Sequence, residues 1–227
     1  MKQIIKRPEP AYFTVWKDSF LVSVGREPKY SDFRETPEWE QLICDLLEDQ
    51  GYICCYCMKA IEGWDSHIEH FIPRNIKNTH PHSMRARNVE LDYQNLFESC
   101  NGENGEGDHC GRLKDSEESP MLVSPLEVGV ERRFIYNILT GEIDAADPED
   151  QEAMTTIRVL GLNTYELNRH RLNAFYTAQQ QLEEGILFDE LMDTYLDRDE
   201  TGAFLPYCAA VVWMLEHFYR GLESEDP

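Results

Sequence analysis

Residues 54–73 read CCYCMKAIEGWDSHIEHFIP, and residues 95–114 read NLFESCNGENGEGDHCGRLK. Cys54 and Cys57, separated by two residues, form the kind of knuckle that supplies half of a tetrahedral soft-ligand site for Zn2+. Cys100 and Cys110 are the remaining half, with the loop 101–109 in place of a second tight knuckle. A site closed by four thiolates leaves no position for water, so such a zinc organises folding and not catalysis. The competing reading is four unrelated buried cysteines. Cys44, Cys55 and Cys208 stand at no ligand spacing and read as ordinary small apolar residues.

Between the cysteine pairs, His67-Ile68-Glu69-His70-Phe71-Ile72-Pro73 sets a carboxylate beside an imidazole in an apolar frame. A hard carboxylate oxygen holds Mg2+ or a similar ion, and a neutral imidazole takes a proton from water near pH 7; the two together suit phosphodiester hydrolysis. Neighbours on a regular strand point to opposite faces, so both reach one site only where the strand kinks or ends, and Pro73 supplies an ending. His67 shares a strand face with Glu69. It can orient Glu69 or touch the same metal, or it is simply a strand-surface histidine. Arg74 reads as a phosphate clamp or a solvated charge. His80 and His82, beside Pro81, read as solvated loop histidines.

The chain of 227 residues carries a net charge of -22, with 41% apolar and 11% aromatic residues, so most of it is expected to fold. Residues 141–227 hold 19 acids against 5 bases, whereas residues 54–114 sum to only -2. Arg74, Lys77, Arg85 and Arg87 give that segment a local basic rim. The acidic whole predicts weak unaided grip on a phosphate backbone and a partner that supplies it. The start, MKQIIKRPEP, lacks the apolar stretch of a secretory signal, and the longest apolar run, 209–215, is far below a membrane span; the expectation is a cytoplasmic protein with no membrane association. No phosphate-binding Gly-x-x-x-x-Gly-Lys-Ser/Thr occurs, which excludes a P-loop ATPase.

Residues 1–35 show no clear period and are expected to be an irregular arm. Thr36 and Pro37 predict the start of a helix carrying Trp39, Leu42, Ile43, Leu46 and Leu47, ended by Gly51. A short strand into the first cysteines, a strand over HIEHFIP, a loop over 74–93 and a polar surface loop over 101–109 follow. Residues 131–145 read as a hairpin turned at Thr140-Gly141, residues 150–182 as helix interrupted at Gly161, and residues 204–220 as an apolar helix.

Cys54 and Cys57, Glu69-His70-Phe71-Ile72-Pro73, Asn95-Leu96, Cys100, Cys110 and Lys114 together resemble the HNH endonucleases. The resemblance implies an α+β fold: a zinc-supported ββα-metal (HNH) core, residues 54–120, embedded in a mainly helical chain. An N-terminal arm and helix (1–53) would precede it, and a β-hairpin plus acidic helical region (121–227) would follow. It implies a nuclease with His70 as general base, Glu69 as ligand of a catalytic Mg2+ or Mn2+, and Asn95 pinning the loop that holds His70. Arg74, Lys77 and Lys114 are its expected nucleic-acid contacts. The family's second metal ligand follows the last cysteine, where this chain has Gly111; His109 is the candidate substitute, with Asn101 and Asp108 behind it. More narrowly, Lys6-Arg7-Pro8-Glu9-Pro10, Leu160-Gly161-Leu162-Asn163 and the apolar last helix are similar to the PtuB-type HNH subunits of Septu and retron-associated anti-phage defence systems. That likeness implies a PtuA-like ATPase partner, a retron reverse transcriptase with its RNA/DNA product as a further one, and nucleic acid as substrate, DNA ahead of RNA such as tRNA. The alternative is a non-catalytic zinc-stabilised binding or assembly subunit of the same kind of complex.

Overall fold

A computed structural model describes residues 1–74, 89–102, 107–114 and 122–220. The segment expected to be an irregular arm forms two helices, α1 (Ala11–Val24) and α2 (Tyr30–Arg34). Pro10 precedes α1 in an extended conformation, and Gly25 stops it in the left-handed region, its N–H donating to the Leu21 carbonyl at 2.9 Å. Phe13 and Trp16 each meet the Phe33 ring edge-on at 4.8 Å. The outward face carries Val15 and Val22, 62% and 87% exposed, so the sequence shows no clean apolar stripe and the helical period is masked.

Helix α3 (Trp39–Gln50) ends at Gly51 as its sequence predicts. It starts later than Thr36 and Pro37 suggest, because the Thr36 hydroxyl donates back to the Phe33 carbonyl at 2.8 Å and closes α2 instead of capping α3. The stretch ahead of the first cysteines is not a strand but a single bridge, Ile53 to Ala60. Strand β1 (Ser66–His70) stops short of Pro73 and pairs antiparallel with β2 (Leu96–Cys100); Glu69 stands opposite Phe97 and His70 opposite Leu96. Short 3-10 turns at Val89–Leu91 and Tyr93–Asn95 lead into β2, and the brief helix α4 (Gly111–Lys114) follows the last cysteine.

Because side chains alternate across a strand, the β1–β2 ribbon has two different faces. Ile68 and Leu96 join Phe13, Phe33, Leu42 and Leu46 in a core shared with the N-terminal helices. Phe97 and the cysteines join a second, larger core that reaches the end of the chain. There β3 (Phe134–Tyr136) and β4 (Ile143–Ala145) form the expected hairpin, followed by α5 (Gln151–Val159), α6 (Tyr165–Glu183), α7 (Phe188–Leu196) and α8 (Cys208–Phe218). The buried Arg171 guanidinium holds this half together, donating to the carbonyls of Gly141 and Leu162 and to the Asn168 side chain. At Gly141, with φ of 73°, a Cβ would lie 2.1 Å from the Asn168 carbonyl oxygen, so both backbone and space require glycine. Residues 1–4 cross to the same half, where the Ile4 N–H donates to the Pro125 carbonyl at 2.8 Å. Among the described residues no helix is long and apolar enough to cross a membrane.

Candidate metal centre and the Glu69–His70 site

The two halves of the cysteine set converge. Cys54, Cys57, Cys100 and Cys110 are all buried, with their sulfurs within 4.8 Å of one another. Four sulfurs at about 2.3 Å from one tetrahedral ion would stand about 3.8 Å apart, and Cys57 and Cys100 lie at 3.8 Å. The donor set therefore fits a thiophilic ion such as zinc. Local backbone supports it: the Cys100 N–H donates to the Cys54 sulfur at 3.4 Å, and Met58 and Cys110 take left-handed conformations that close their turns. Burial pushes the Cys54 thiol up, yet hydrogen bonding from Cys100, Cys110, Cys55 and Cys57 outweighs it and holds Cys54 well below the ordinary cysteine value. The C-terminal half grips the cluster from outside, through Cys110 N–H to the Leu160 carbonyl at 2.8 Å and Tyr207 N–H to the Met58 carbonyl at 2.9 Å.

Glu69 sits beside this cluster, 3% exposed. Its Oε1 accepts from the Lys114 ammonium at 2.6 Å and from the Tyr56 hydroxyl at 3.0 Å. Its Oε2 faces the Nε2 of His67 at 3.8 Å. Burial raises the Glu69 pKa, but His67, Lys114 and Tyr56 prevail and keep it below the ordinary glutamate value. The Lys114 ammonium also donates to the His70 carbonyl at 2.7 Å and so binds the last turn of the chain's core to the end of β1.

His70 stands on the opposite face of the β1–β2 ribbon: β1 is regular through His70, so the strand does not bring the two side chains to one site as an ending at Pro73 suggested. Its ring meets Tyr30 edge-on at 4.6 Å, and its Nε2 lies 3.0 Å from the Glu90 carbonyl. A carbonyl only accepts, so Nε2 carries the proton and Nδ1 the lone pair of the neutral ring. Burial lowers the His70 pKa below the ordinary histidine value and favours that neutral form. Asn95 ties the chain on both sides of this imidazole: its Oδ1 accepts from Ile72 N–H at 2.6 Å, and its Nδ2 donates to the carbonyls of Ile72 at 3.0 Å and Val89 at 2.8 Å. Arg74 is exposed, with its guanidinium 4.9 Å over the same Tyr30 ring.

Two expectations need correction. His109, the candidate for the catalytic ion, is 2% exposed and turned to the cysteines, its Nδ1 3.2 Å from the Cys110 sulfur and 3.8 Å from that of Cys100. Its backbone closes so tightly on Gly102 that a Cβ there would lie 2.2 Å from the His109 carbonyl oxygen. Lys114, expected to contact nucleic acid, is 3% exposed and paired with Glu69. Of the residues behind His109, Asp108 pairs with Arg112 at 2.9 Å and Asn101 meets His67 at 3.3 Å. Lys77, His80, His82, Arg85 and Arg87 lie outside the described residues. Sequence reasoning missed Tyr56, whose place within the Cys-x-x-Cys turn is the signal that it must face the cluster's neighbourhood. An open cleft of about 960 Å³ lies between the hairpin and α5, lined by Glu142, Asp144 and Arg158 among others, and contains neither Glu69 nor His70. No protein-family model matches the chain, and no curated protein matches it either.

Proposed function

We propose that this chain is an HNH-type, metal-dependent endonuclease that hydrolyses phosphodiester bonds and works as the nuclease subunit of an anti-phage complex. The observation that carries the reading is the strand-end pair: an ionised Glu69 and a neutral His70 leave β1 on either side of the backbone, beside four clustered cysteines, with Asn95 pinning the next turn. The order β1, β2, α4 around these residues agrees with the ββα core of the resemblance. Zinc at the four cysteines would serve as scaffold, since four thiolates leave no open position.

In this mechanism each side chain has a defined task. His70, its Nε2–H committed to the Glu90 carbonyl, presents Nδ1 as the acceptor for a proton from water. Lys114 and Tyr56 occupy Oε1 of Glu69 and leave Oε2, which faces His67, as the atom that would ligate a cation. A divalent cation bound at Glu69 would supply Lewis-acid stabilisation of charge on the scissile phosphate. Arg74 is an exposed cation stacked over Tyr30, the imidazole's aromatic neighbour, and would contact the phosphate backbone. The net charge of -22 assigns most of the grip on nucleic acid to a partner, of which a PtuA-like ATPase is the kind the resemblance implies.

The second reading is a zinc-stabilised assembly subunit without catalysis. Burial favours it, because Glu69, His70 and Lys114 are 3%, 7% and 3% exposed. A nuclease assay with Mg2+ or Mn2+, on the chain alone and with its partner, compares wild type with His70→Ala. Hydrolysis by wild type that the substitution abolishes is expected; hydrolysis that survives it removes the base assignment, and none under any condition selects the assembly role.

A further inference from the structure

Lys6 and Arg7 stand ahead of the first helix, far in sequence from β1 and β2, and no step of the proposed mechanism uses them. The Arg7 Nε donates to the Asp49 carboxylate at 2.5 Å and its Nη2 to Glu48 at 2.7 Å, which fastens this segment to α3. Lys6 grips a different element. Its Nζ donates to the Tyr93 and Leu96 carbonyls, the latter at 2.5 Å, and lies 3.9 Å from the Tyr93 ring centre and 4.9 Å from that of Phe97.

Tyr93 and Leu96 bracket Asn95, which ends the 3-10 turn that feeds β2. The Asn95 carbonyl accepts from the Phe71 N–H at 3.0 Å, and its side chain holds Ile72 and Val89. The backbone that leaves His70 is therefore fixed only as well as this turn is. Residues 96 and 98 turn their backbone groups away from β1, and β2 has no second neighbouring strand among the described residues. Their carbonyls need other donors. Gln50 serves the one at Glu98, at 2.9 Å, and Lys6 serves the one at Leu96.

Burial works against a lysine at this place. It pushes the Lys6 ammonium down to about 7 against the pull of Asp49 and Asp92, and among the described residues no carboxylate forms an ion pair with it. In either protonation state Nζ keeps a hydrogen for each carbonyl, so the grip does not depend on which form is present. An apolar side chain would spare the buried amine its desolvation but would leave the Leu96 carbonyl without this donor.

We infer that Lys6 is a positioning residue: by clamping the Tyr93–Asn95 turn from the side away from β1, it fixes the Asn95 amide and through it the backbone that carries His70. The inference rests on the nuclease reading for its effect on rate, but the clamp itself can be tested without turnover.

The experiment uses the full chain with its cysteine site loaded with zinc and follows amide hydrogen exchange by nuclear magnetic resonance in wild type, Lys6→Met and Lys6→Arg. In Lys6→Met the Phe71 and Ile72 N–H groups, which donate to the Asn95 carbonyl and side chain, should exchange about tenfold faster, the change that loss of one hydrogen bond of ordinary strength produces. The Leu160 and Tyr207 N–H groups of the other half should keep their wild-type rates. Lys6→Arg, which retains a cation and two donors, should recover slow exchange. In the preparation that hydrolyses nucleic acid, kcat of Lys6→Met should fall with KM unchanged, and Lys6→Arg should regain it. Wild-type exchange in Lys6→Met overturns the inference. So does exchange that quickens equally in both halves, which marks a merely structural lysine, and so does an unchanged kcat once the two amides have loosened. If they loosen selectively but wild type hydrolyses nothing, the clamp stands and the nuclease reading fails. Should Lys6→Arg not fold, Lys6→Gln, whose amide also carries two hydrogens, replaces it; exchange at Phe71 and Ile72 as fast as in Lys6→Met would then count against the clamp.

Discussion

Two candidate ion sites sit side by side in this molecule, and they differ in every respect that decides what a metal can do. The cysteine site is closed, with four soft donors, all buried and clasped by Leu160 and Tyr207 through the backbone. The Glu69 carboxylate, the proposed ligand of a catalytic ion, is held by Lys114 and faces His67, which keeps 37% of its side chain exposed. Cys110 and Gly111 are consecutive residues, yet the first belongs to the cysteine cluster and the second makes room for the His67 and Glu69 side chains. The contrast teaches that a closed cysteine cluster and a buried carboxylate clamped by Lys114 can share one wall, the backbone at Cys110 and Gly111. Substitutions should therefore separate by which site they touch, and their effects on stability should fall in the order that follows.

Removal of the closed site is expected to be the most damaging. A structural zinc contributes on the order of 10 kcal/mol, comparable to a domain's whole stability of about 5–15 kcal/mol. Cys57→Ala, or stripping of metal by a chelator, should leave the ribbon and its neighbouring helices unfolded. Metal content by mass spectrometry together with circular dichroism on heating checks this; a chain that holds no zinc yet melts cooperatively would break the comparison.

Lys114→Met comes next. The Lys114–Glu69 pair is almost fully buried, and deletion of one partner strands the other charge, at a typical cost of about 3–5 kcal/mol. The double variant Lys114→Met/Glu69→Gln should recover much of that loss, since no uncompensated charge is left. Denaturant melts of the two single variants and the double variant give the coupling energy. Additive losses would show that the pair acts independently and would undo its role in holding Glu69.

Asn95→Ala removes three hydrogen bonds around the turn that follows β1, for a loss of about 1–3 kcal/mol. Activity should fall with it, because Asn95 touches neither ion nor substrate in the proposed mechanism and acts only by fixing the His70 backbone. As a positioning residue it predicts a lower kcat with KM little changed, and steady-state kinetics decides. An equal rise in KM would assign Asn95 to substrate binding instead.

How much of this could be read from the sequence depends on whether identity or direction carried the information. The four cysteines were legible because ligand chemistry and spacing are written in the residues, and β1 was legible in the apolar alternation of HIEHFIP, whereas its partner strand at 96–100 was not. The direction of single side chains was not. His109 read as a ligand of the catalytic ion and Lys114 as a nucleic-acid contact, but His109 faces the sulfurs beside a left-handed Cys110, and α4 buries Lys114 against Glu69. Helix α1 was hidden by apolar residues on its outer face. Helix α7 was legible in principle, since Phe188, Leu191, Met192 and Tyr195 repeat at helical spacing and are all buried. Gly111 carried a signal that only coordinates could decode, that a missing side chain marks space filled by another.

His70 should show the smallest effect on stability and a large one on rate. His70→Ala loses one ring contact with Tyr30 and one hydrogen bond, about 1 kcal/mol in sum, while loss of a general base typically lowers the rate 10²–10⁴-fold. The pH dependence carries the sign. Catalysis needs the neutral ring, and burial holds the folded pKa below the ordinary value of 6.5, so activity should stay level down to that pH and fall only below it. Stability should follow the same direction: between the depressed folded pKa and 6.5 the unfolded chain binds the extra proton, so folding weakens as pH drops through that window. His70→Ala removes this contribution, and the difference between the two proteins in a melt series from about pH 5 to pH 8 isolates it, because Lys6 and Glu98, both shifted to about 7, titrate in both. If wild type and variant lose stability in parallel on acidification, His70 is not the neutral, buried imidazole that general-base catalysis at this strand end requires.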